Sequence, residues 1–169
     1  MILIILILAV VAFIYFNVIP KKGHTLAALI SLLFVLFSVV GIVAHDYNHL
    51  GMKVKTSTIT KELVSSASPK LPVLLYQPLG QGKEKIYLYK TNAAEKKPTP
   101  IKTENSAAKV RRSKNPTLTI SSQRYVFKNG LDSFLFGWFG HENELKHREY
   151  IFNIPRTWKT LSVKQAQLL

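Results

Sequence analysis

Two apolar stretches at the start of the chain decide its fold class: ILIILILAVVAFIYFNVI at residues 2–19 and TLAALISLLFVLFSVVGIVA at residues 25–44. As helices they would be about 27 Å and about 30 Å long, which matches a bilayer core of about 30 Å. A soluble protein is a poor alternative, because two helices that are apolar all round need cover on every side. The pattern predicts a two-helix transmembrane hairpin over residues 1–44.

The short segment between the two stretches sets the expected orientation. Residues 20–24, PKKGH, contain a proline and two lysines, and no Lys or Arg precedes the first span. Lys21 and Lys22 adjoin both spans, whereas the first lysine after the second span, Lys53, lies nine residues beyond Ala44. Because positive residues close to span ends stay cytoplasmic, the sequence predicts a multi-pass protein of a bacterial plasma membrane with both termini outside. The absence of a charged N-terminal region disfavours a cleaved signal peptide.

The rest of the chain is strongly basic and lacks cysteine. Lys and Arg number 23 and Asp and Glu 9, a net charge of +14; without Lys21 and Lys22 the remainder, residues 45–169, has 21 minus 9, or +12. Such a surface favours anionic partners. With no cysteine, the chain has no disulfide framework, no thiolate metal site and no catalytic thiol.

Beyond the spans the apolar pattern changes from helical to extended, which predicts a β-rich domain over residues 53–169. Asn129-Gly130 is a pair favoured in two-residue hairpin turns, so residues 124–136 are expected to form a hairpin. We therefore expect a membrane-anchored α+β protein in which the hairpin of spans precedes a small antiparallel β-sandwich or barrel-like domain. The expected strands are residues 53–60, 71–79, 84–91, 117–120, 125–128, 131–136 and 149–154.

Residues 92–115 interrupt this pattern with two prolines and few large apolar side chains. They are predicted to form a mobile basic loop, with a long two-stranded ribbon as the structural alternative. Its most basic part, Lys109, Arg111, Arg112 and Lys114, is the predicted anion-binding site. The alternative is a merely solvated loop, since runs of charge are often only that.

A juxtamembrane segment, HDYNHLGM at residues 45–52, follows the second span. If the helix continues, His45 and His49 share a face and offer two imidazoles to a metal ion, with Asp46 or Met52 as further donors. The competing interpretation is that these rings simply suit the headgroup layer. Because a third ligand at fixed spacing is missing, no metal and no other cofactor is predicted.

Catalytic motifs are weak throughout the chain. GQGK at residues 80–83 lacks the spacing of a phosphate-binding loop and reads as a turn. A membrane-tethered hydrolase remains an alternative because acidic residues and histidines cluster late in the chain, although spacing cannot place them in one pocket. The cluster consists of His141, Glu142, Glu144, His147 and Glu149.

The stretch FLFGWFG at residues 134–140 is the most apolar part of the β-rich domain. We expect it to form a core strand, because exposed apolar patches are uncommon on soluble surfaces. A patch that packs on the membrane surface or on a partner is the alternative.

Four segments carry a family resemblance: the Lys-Lys turn between short apolar spans, HDYNHLGM at 45–52, LPVLLYQPLG at 71–80 and PRTWKTLS at 155–162. Together they resemble the uncharacterised two-span membrane proteins of lactic-acid bacteria and their relatives, a family of unknown function. The resemblance implies a Gram-positive plasma membrane and a small extracytoplasmic domain. It implies no catalytic residue.

Small residues on the second span, Ala28, Ser31, Ser38 and Gly41, allow close helix packing. The leading interpretation is therefore a non-enzymatic membrane accessory or scaffold protein, whose hairpin packs on a larger membrane protein and whose β-rich domain covers the outer face. The alternatives are a tethered binding module for anionic envelope polymer or lipid, and the tethered hydrolase. Expected partners are membrane lipid, a larger integral membrane protein and anionic wall polymer, but not nucleic acid.

Overall fold

The computed structural model describes residues 1–19, 21–67, 71–80 and 84–168. Pro20 and most of the expected GQGK turn lie outside these ranges. The chain divides into two compact units, Met1–Lys55 with Tyr125–Glu144, and Thr56–Arg124 with Leu145–Leu169. Two strands described below, the first and the sixth, have residues in both units.

The first unit contains three α-helices. α1 spans Ile2–Val18, α2 spans His24–Asn48, and α3 spans Gly130–Phe136 and continues into a 3₁₀ turn at Gly137–Phe139. α2 is both long and apolar enough to cross a membrane, whereas α1, with 17 residues, is a shorter apolar helix.

α1 and α2 pack against each other as an antiparallel pair. Ile2 near the start of α1 lies against Gly41 near the end of α2, with its Cδ1 only 3.1 Å from where a Cβ would lie. At the opposite end, the rings of Phe16 and His24 are 5.1 Å apart. This contact, which we call the helix seam, follows alternating steps of four and three residues on both helices, the spacing of a coiled-coil seam. Its members are buried or half-buried: Ile2, Leu6, Ala9, Phe13 and Phe16 on α1, and His24, Ala28, Ser31, Val35, Ser38, Ile42 and His45 on α2.

Outside the helix seam, both helices expose large apolar side chains. Leu8 and Val18 of α1 are 63% and 69% exposed, and Leu26 and Phe37 of α2 are 65% and 77% exposed. Water-soluble helices place charged or polar residues on such a surface. Neither helix has a polar side that would face water.

The second unit contains two four-stranded sheets. The strands are β1 Met52–Glu62, β2 Val73–Pro78, β3 Lys85–Tyr89, β4 Thr99–Pro100, β5 Ser106–Arg112, β6 Thr117–Phe127, β7 Leu145–Ile154 and β8 Lys159–Ser162, and a short helix α4, Val163–Ala166, ends the series. The sheet orders are β1-β6-β7-β5 and β4-β3-β2-β8.

Each sheet is mixed, so the prediction of a purely antiparallel domain is wrong. β5 runs parallel to β7, and β8 runs parallel to β2. The remaining described pairings, β6 with β7, β2 with β3 and β3 with β4, are antiparallel. Local alternation of apolar residues reports strands but not their directions, because both kinds of pairing share a period of two. The α+β class itself is confirmed.

The core of the second unit draws on both sheets. Leu74 of β2 and Leu118, Phe152 and Ile154 of β6 and β7 are almost completely inaccessible to solvent, and Trp158 closes the same cluster. Tyr87 and Phe152 contact each other with ring centroids 5.2 Å apart. Burial of these side chains, at about 1.5–3 kcal/mol each, is the main term that stabilises the unit.

The expected hairpin at residues 124–136 is wrong. Asn129 does not form a turn: its side-chain oxygen accepts a hydrogen bond from the Asp132 N–H at 2.9 Å, so it caps the start of α3. Asparagine serves either role, and here the segment that follows it is helical, so Asn129 is a cap. The FLFGWFG stretch is consequently helical, and of its large side chains Phe136 alone is fully buried.

Two other boundaries differ from the predictions. α2 continues to Asn48, so half of the expected juxtamembrane segment is helical. The expected basic loop at residues 92–115 contains β4 and the seven-residue strand β5, whose every residue pairs with β7. Its small and charged side chains hide the strand in the sequence, because β5 is an edge strand whose stability comes from its backbone pairing.

The helix seam predicts a position-specific sensitivity. Replacing Ser38, which is 4% exposed, with leucine should lower the thermal unfolding midpoint in detergent micelles, because overpacking a close contact costs about 1–3 kcal/mol. Val40, which is 65% exposed, supplies the control, and Val40→Leu should leave the midpoint unchanged. Circular dichroism at helical wavelengths measures both. Equal melting of the two variants would contradict the seam.

Candidate functional site: a basic groove in the second unit

The inner face of the β6–β7 pair changes from apolar to basic along its length. On β6 the inward positions run from Leu118 and Ile120 to Ser122 and Arg124, and on β7 the corresponding positions lead from Phe152 through Tyr150 to Arg148. The register places Leu118 opposite Phe152 and Ser122 opposite Arg148. The core thus ends where hydroxyl and guanidinium groups replace hydrocarbon on the same face.

Beyond this change of character lies an open groove of about 380 Å³. Other walls come from Ser57 and Ile59 of β1 and from Tyr89 of β3. Between Gln123 and Arg124 the pairing register shifts, and such bulges redirect side chains next to binding sites. The remaining lining residues are Thr99, Pro100 and Lys102 together with the β6 and β7 residues Ile120, Ser122, Arg124, Arg148 and Tyr150.

Hydrogen bonds hold the floor of the groove in place. Arg148 donates from Nε to Ser122 Oγ at 3.2 Å and from Nη1 to the Tyr150 hydroxyl at 3.5 Å. The backbone N–H of Lys102 donates to the same hydroxyl at 3.4 Å. A guanidinium fixed in this way keeps part of its donor fork for a ligand at little further entropic cost.

The groove is positive. Lys102, Arg124 and Arg148 line it, and none of the described lining residues is a carboxylate. Burial, followed by the fields of Tyr150 and of Glu95, raises the pKa of Tyr89 above its ordinary value, although Arg148 opposes this. Tyr89 therefore stays protonated at neutral pH and presents a hydroxyl rather than a phenolate. Lysine, arginine and hydroxyl donors together suit a phosphate or carboxylate ligand.

The four residues predicted to bind anions do not form one surface. Lys109 pairs with Glu149 at 2.8 Å, and this hydrogen bond lowers the pKa of Glu149 below its ordinary value. Arg112 donates to the carbonyls of Pro155 and Trp158 at 3.0 and 3.1 Å. Arg111 and Lys114 are exposed. On a strand, Lys109 and Arg111 point away from the side that Arg112 uses, so the cluster seen in the sequence is divided between two faces.

His45 is held inside the first unit as a packing residue. Its ring stacks on Phe136 with centroids 4.4 Å apart, and its Nδ1 lies 2.6 Å from the Leu50 carbonyl oxygen. A carbonyl oxygen can only accept, so Nδ1 carries the proton. The other nitrogen, Nε2, is fully buried without a hydrogen-bond partner.

His49 does not share a helix face with His45. α2 ends at Asn48, and His49 follows it in the left-handed conformation with φ of 53°. Its ring stacks on Tyr125 at 3.8 Å, and its Nε2 lies 4.0 Å from a Glu144 oxygen. No group of three or more His, Asp or Glu residues in the described part of the chain has a metal-binding arrangement.

The structure brings together one part of the late cluster of acidic residues and histidines. His141 Nδ1 lies 2.9 Å from Glu144 Oε2, and its Nε2 lies 3.1 Å from Asp46 Oδ1. When the ring is protonated, both nitrogens donate to the carboxylates, and the hydrogen bond to Glu144 is the main cause that raises the pKa of His141. His147 and Glu149 belong to the second unit. In its protonated form His141 has no free lone pair, so it is then a donor to both carboxylates rather than a base.

The small residues of α2 lie in the helix seam. Ala28, Ser31 and Ser38 are buried, and Gly41 lies against Ile2 of α1. The hydroxyls of Ser31 and Ser38 donate to carbonyls one turn earlier, at 2.9 and 2.8 Å. These residues are therefore used within the pair of helices.

Sequence reasoning missed the groove. Its cations come from three separate segments. Arg124 stands in unremarkable surroundings in the sequence, and Arg148 lies between His147 and Glu149 of the late cluster, which drew attention to histidines and carboxylates instead. The sequence did contain a signal. In both β6 and β7, an arginine occupies a position that the alternating pattern assigns to the inward side of the sheet, where an apolar residue is expected.

Comparison with known proteins identifies the family. Residues 20–169 match the family described as domain of unknown function, DUF4811. The chain belongs to this family. The match begins at residue 20, ahead of α2, and includes both sheets, so the groove and His141 lie in the part that this DUF4811 chain shares with the family. No curated protein and no solved structure matched the chain.

The geometry at His141 predicts a measurable titration. The raised pKa means that contact with the two carboxylates stabilises the folded protein when His141 is protonated. This stabilisation is complete at pH values below the ordinary histidine pKa of about 6.5. It is lost as the pH rises through the raised pKa of His141. Glu144→Gln should therefore lower the pKa of His141. NMR titration of histidine-labelled protein in micelles measures the pKa of His141. The other polar groups that face its ring, His45, His49 and Asp46, are the same in both proteins.

The exposed residue Glu142 supplies the control for this measurement, because it carries the same charge one residue away from His141. Glu142→Gln should move the pKa of His141 much less. An equal shift in both variants would mean that the general field, and not the contact with Glu144, sets the titration.

Proposed function

We propose that this protein is a non-enzymatic binding module anchored in a bacterial plasma membrane, and that its basic groove holds an anionic envelope polymer. One observation carries the proposal: the inward face of β6 and β7 changes from hydrocarbon to Ser122, Arg124 and Arg148 within an open cleft. Arg124 and Arg148 are half-buried at the end of the apolar core, and together with Lys102 they make the groove positive. A cleft lined by charges of one sign attracts ligands of the opposite sign.

The anchor is supported by the surfaces of α1 and α2. The helix seam uses one stripe of each helix, and all other faces expose large apolar side chains such as Ile7, Leu8, Phe37 and Val40. At about 1.5 Å per residue, α2 is about 37 Å long and α1 about 26 Å, close to the bilayer core. Lys21 and Lys22 end the apolar surface where the two helices are joined. We propose that the pair crosses the bilayer as a hairpin.

A location outside the cell follows from the same two lysines, since positive residues between two spans stay cytoplasmic. The resemblance to two-span proteins of lactic-acid bacteria supports a Gram-positive envelope. In such an envelope, anionic wall polymers lie next to the outer face of the plasma membrane. A tethered groove with three cations then meets its ligand at high effective concentration.

Binding is favoured over catalysis by the groups present in the groove. They are cations, hydroxyls of Ser and Thr, and tyrosines of which Tyr89 has a raised pKa. General acid–base chemistry needs a group that exchanges a proton near neutral pH. The described groove residues instead offer fixed positive charge and hydrogen-bond donors.

The scaffold interpretation loses its main support. It started from the small residues of α2, and Ala28, Ser31 and Ser38 are used in the helix seam with α1. The surface left for a larger membrane protein consists of large apolar side chains, which lipid covers equally well.

The first test concerns orientation. The chain has no cysteine, so single cysteines can be placed at exposed Ser113 in the second unit and at exposed Thr25 beside the lysine turn. If both termini are outside, an impermeant thiol reagent added to intact cells should label Ser113→Cys and spare Thr25→Cys. Permeabilised cells provide the labelling maximum for each variant. The reverse pattern would invert the topology and remove wall polymer from the ligands considered.

The second test concerns the groove. The full chain in nanodiscs of neutral lipid should bind soluble polyphosphate, and Lys102→Gln with Arg124→Gln should weaken that binding roughly 5- to 30-fold, about 1–2 kcal/mol for two partly exposed charges. Binding should also weaken from 0.1 M to 1 M salt, because the Debye length falls from about 10 Å to about 3 Å. Polyglutamate in place of polyphosphate separates phosphate from carboxylate recognition.

A matched double variant controls for net charge. Arg111→Gln with Lys114→Gln removes the same two charges from exposed positions that do not line the groove. It should reduce binding far less than the groove variant. Equal losses would show that overall charge attracts the polymer, and binding that requires anionic lipid in the nanodisc would favour the lipid headgroup as ligand.

A further inference from the structure

Three large apolar side chains form an exposed face on α3 and the 3₁₀ turn that follows it. Leu131, Phe134 and Trp138 are 67%, 61% and 66% exposed. Spacings of three and seven residues place them on one side of a helical segment. An apolar face of this kind on a short segment usually marks an interaction site.

The other sides of α3 are already occupied within the first unit. Asp132 lies against Gly51, with side-chain atoms 3.1 Å from where a Cβ would be. Phe136 is buried and stacks on the ring of His45. The exposed side is therefore the one that the first unit leaves uncovered.

The N-terminus of the chain fixes α3 at one end of the helix pair. The Met1 ammonium donates hydrogen bonds to the carbonyls of Phe134 and Leu135, both at 2.9 Å. His45, which stacks on Phe136, belongs to the last turn of α2. α3 thus lies where α1 begins and α2 ends, at the opposite end from Lys21 and Lys22.

We propose that this face of α3 lies in the boundary between headgroups and acyl chains of the bilayer, so that the first unit rests on the membrane surface as well as crossing it. The inference rests on the proposed anchoring by α1 and α2. It adds a lipid contact by a segment that does not span the membrane, and it assigns Leu131, Phe134 and Trp138 as the contacting residues.

The surroundings favour lipid as the occupant. The apolar surface of α1 and α2 ends at the level of α3, so the same bilayer that covers these helices reaches the exposed face. A tryptophan suits this layer, because its ring is apolar and its N–H bonds to headgroups. Two lysines lie near the start of α3. Lys128 directly precedes Asn129, the cap of α3, and the ammonium of Lys53 is 3.4 Å from the Lys128 carbonyl oxygen. Their positive charges suit phosphate headgroups.

Tryptophan fluorescence tests the inference because the chain has two tryptophans in different environments. Trp138 is exposed on α3, and Trp158 is 8% exposed in the core of the second unit. The full chain is reconstituted into phosphatidylcholine vesicles that carry bromine at either a shallow or a deep acyl position. Emission should be quenched strongly by the shallow bromines and weakly by the deep ones.

Two variants assign the quenching. Trp158→Phe, which leaves Trp138 as the single fluorophore, should retain it, and Trp138→Phe should lose it. If Trp158→Phe fails to fold, as far-ultraviolet circular dichroism would show, the difference between the natural chain and Trp138→Phe carries the same information. Quenching that persists in Trp138→Phe would overturn the assignment.

A third probe separates this inference from the anchoring on which it rests. Phe37 lies in the middle of α2 and is 77% exposed, so Phe37→Cys carrying an environment-sensitive fluorophore reports the anchor. Quenching of this probe by deep bromines supports anchoring, and its absence means that the anchoring proposal has failed. Quenching at Phe37→Cys without quenching at Trp138 would overturn the α3 proposal alone, and would indicate that protein, either a second copy or another subunit, covers the face.

Discussion

A helix that is apolar on every side has no face to present to water, and this constraint governs the first unit. α1 and α2 can cover each other along only one stripe, the helix seam, where alanine and serine allow close approach and Gly41 lies against Ile2. Everything outside the seam needs another apolar environment. The proposed membrane anchor, the position of α3 at one end of the pair and the lipid contact of its exposed face all depend on this one requirement.

The histidines of the first unit illustrate how burial decides a chemical role. His45 has one nitrogen bonded to a carbonyl and its ring stacked among aromatic side chains, so it serves packing. His141 has a carboxylate at each nitrogen, which favours its protonated form, and it joins Asp46 to Glu144. The two residues share one chemistry, and their neighbours alone determine that one is a packing residue and the other a charged link.

In the second unit, the register of β6 against β7 has the comparable role. It places apolar residues of both strands opposite each other at one end, and at the other end it places Ser122 opposite Arg148, two residues before Arg124. A slip by one residue would turn all of them to the other face. The core and the groove are thus two ends of one face, and the pairing that builds the first also builds the second.

The sequence by itself determined the apolar helices, the basic charge of the remainder and most strand positions, because these depend on composition and on periods of two or about 3.6 residues. Tertiary structure decided the rest. The sequence carried no information on the parallel pairing of β5 with β7 or on which side of β5 each basic residue lies. The role of Asn129 depended on whether a strand or a helix followed, and packing of Phe136 on His45 selected the helix. The groove required three distant segments to meet, and only folding brings Lys102, Arg124 and Arg148 together.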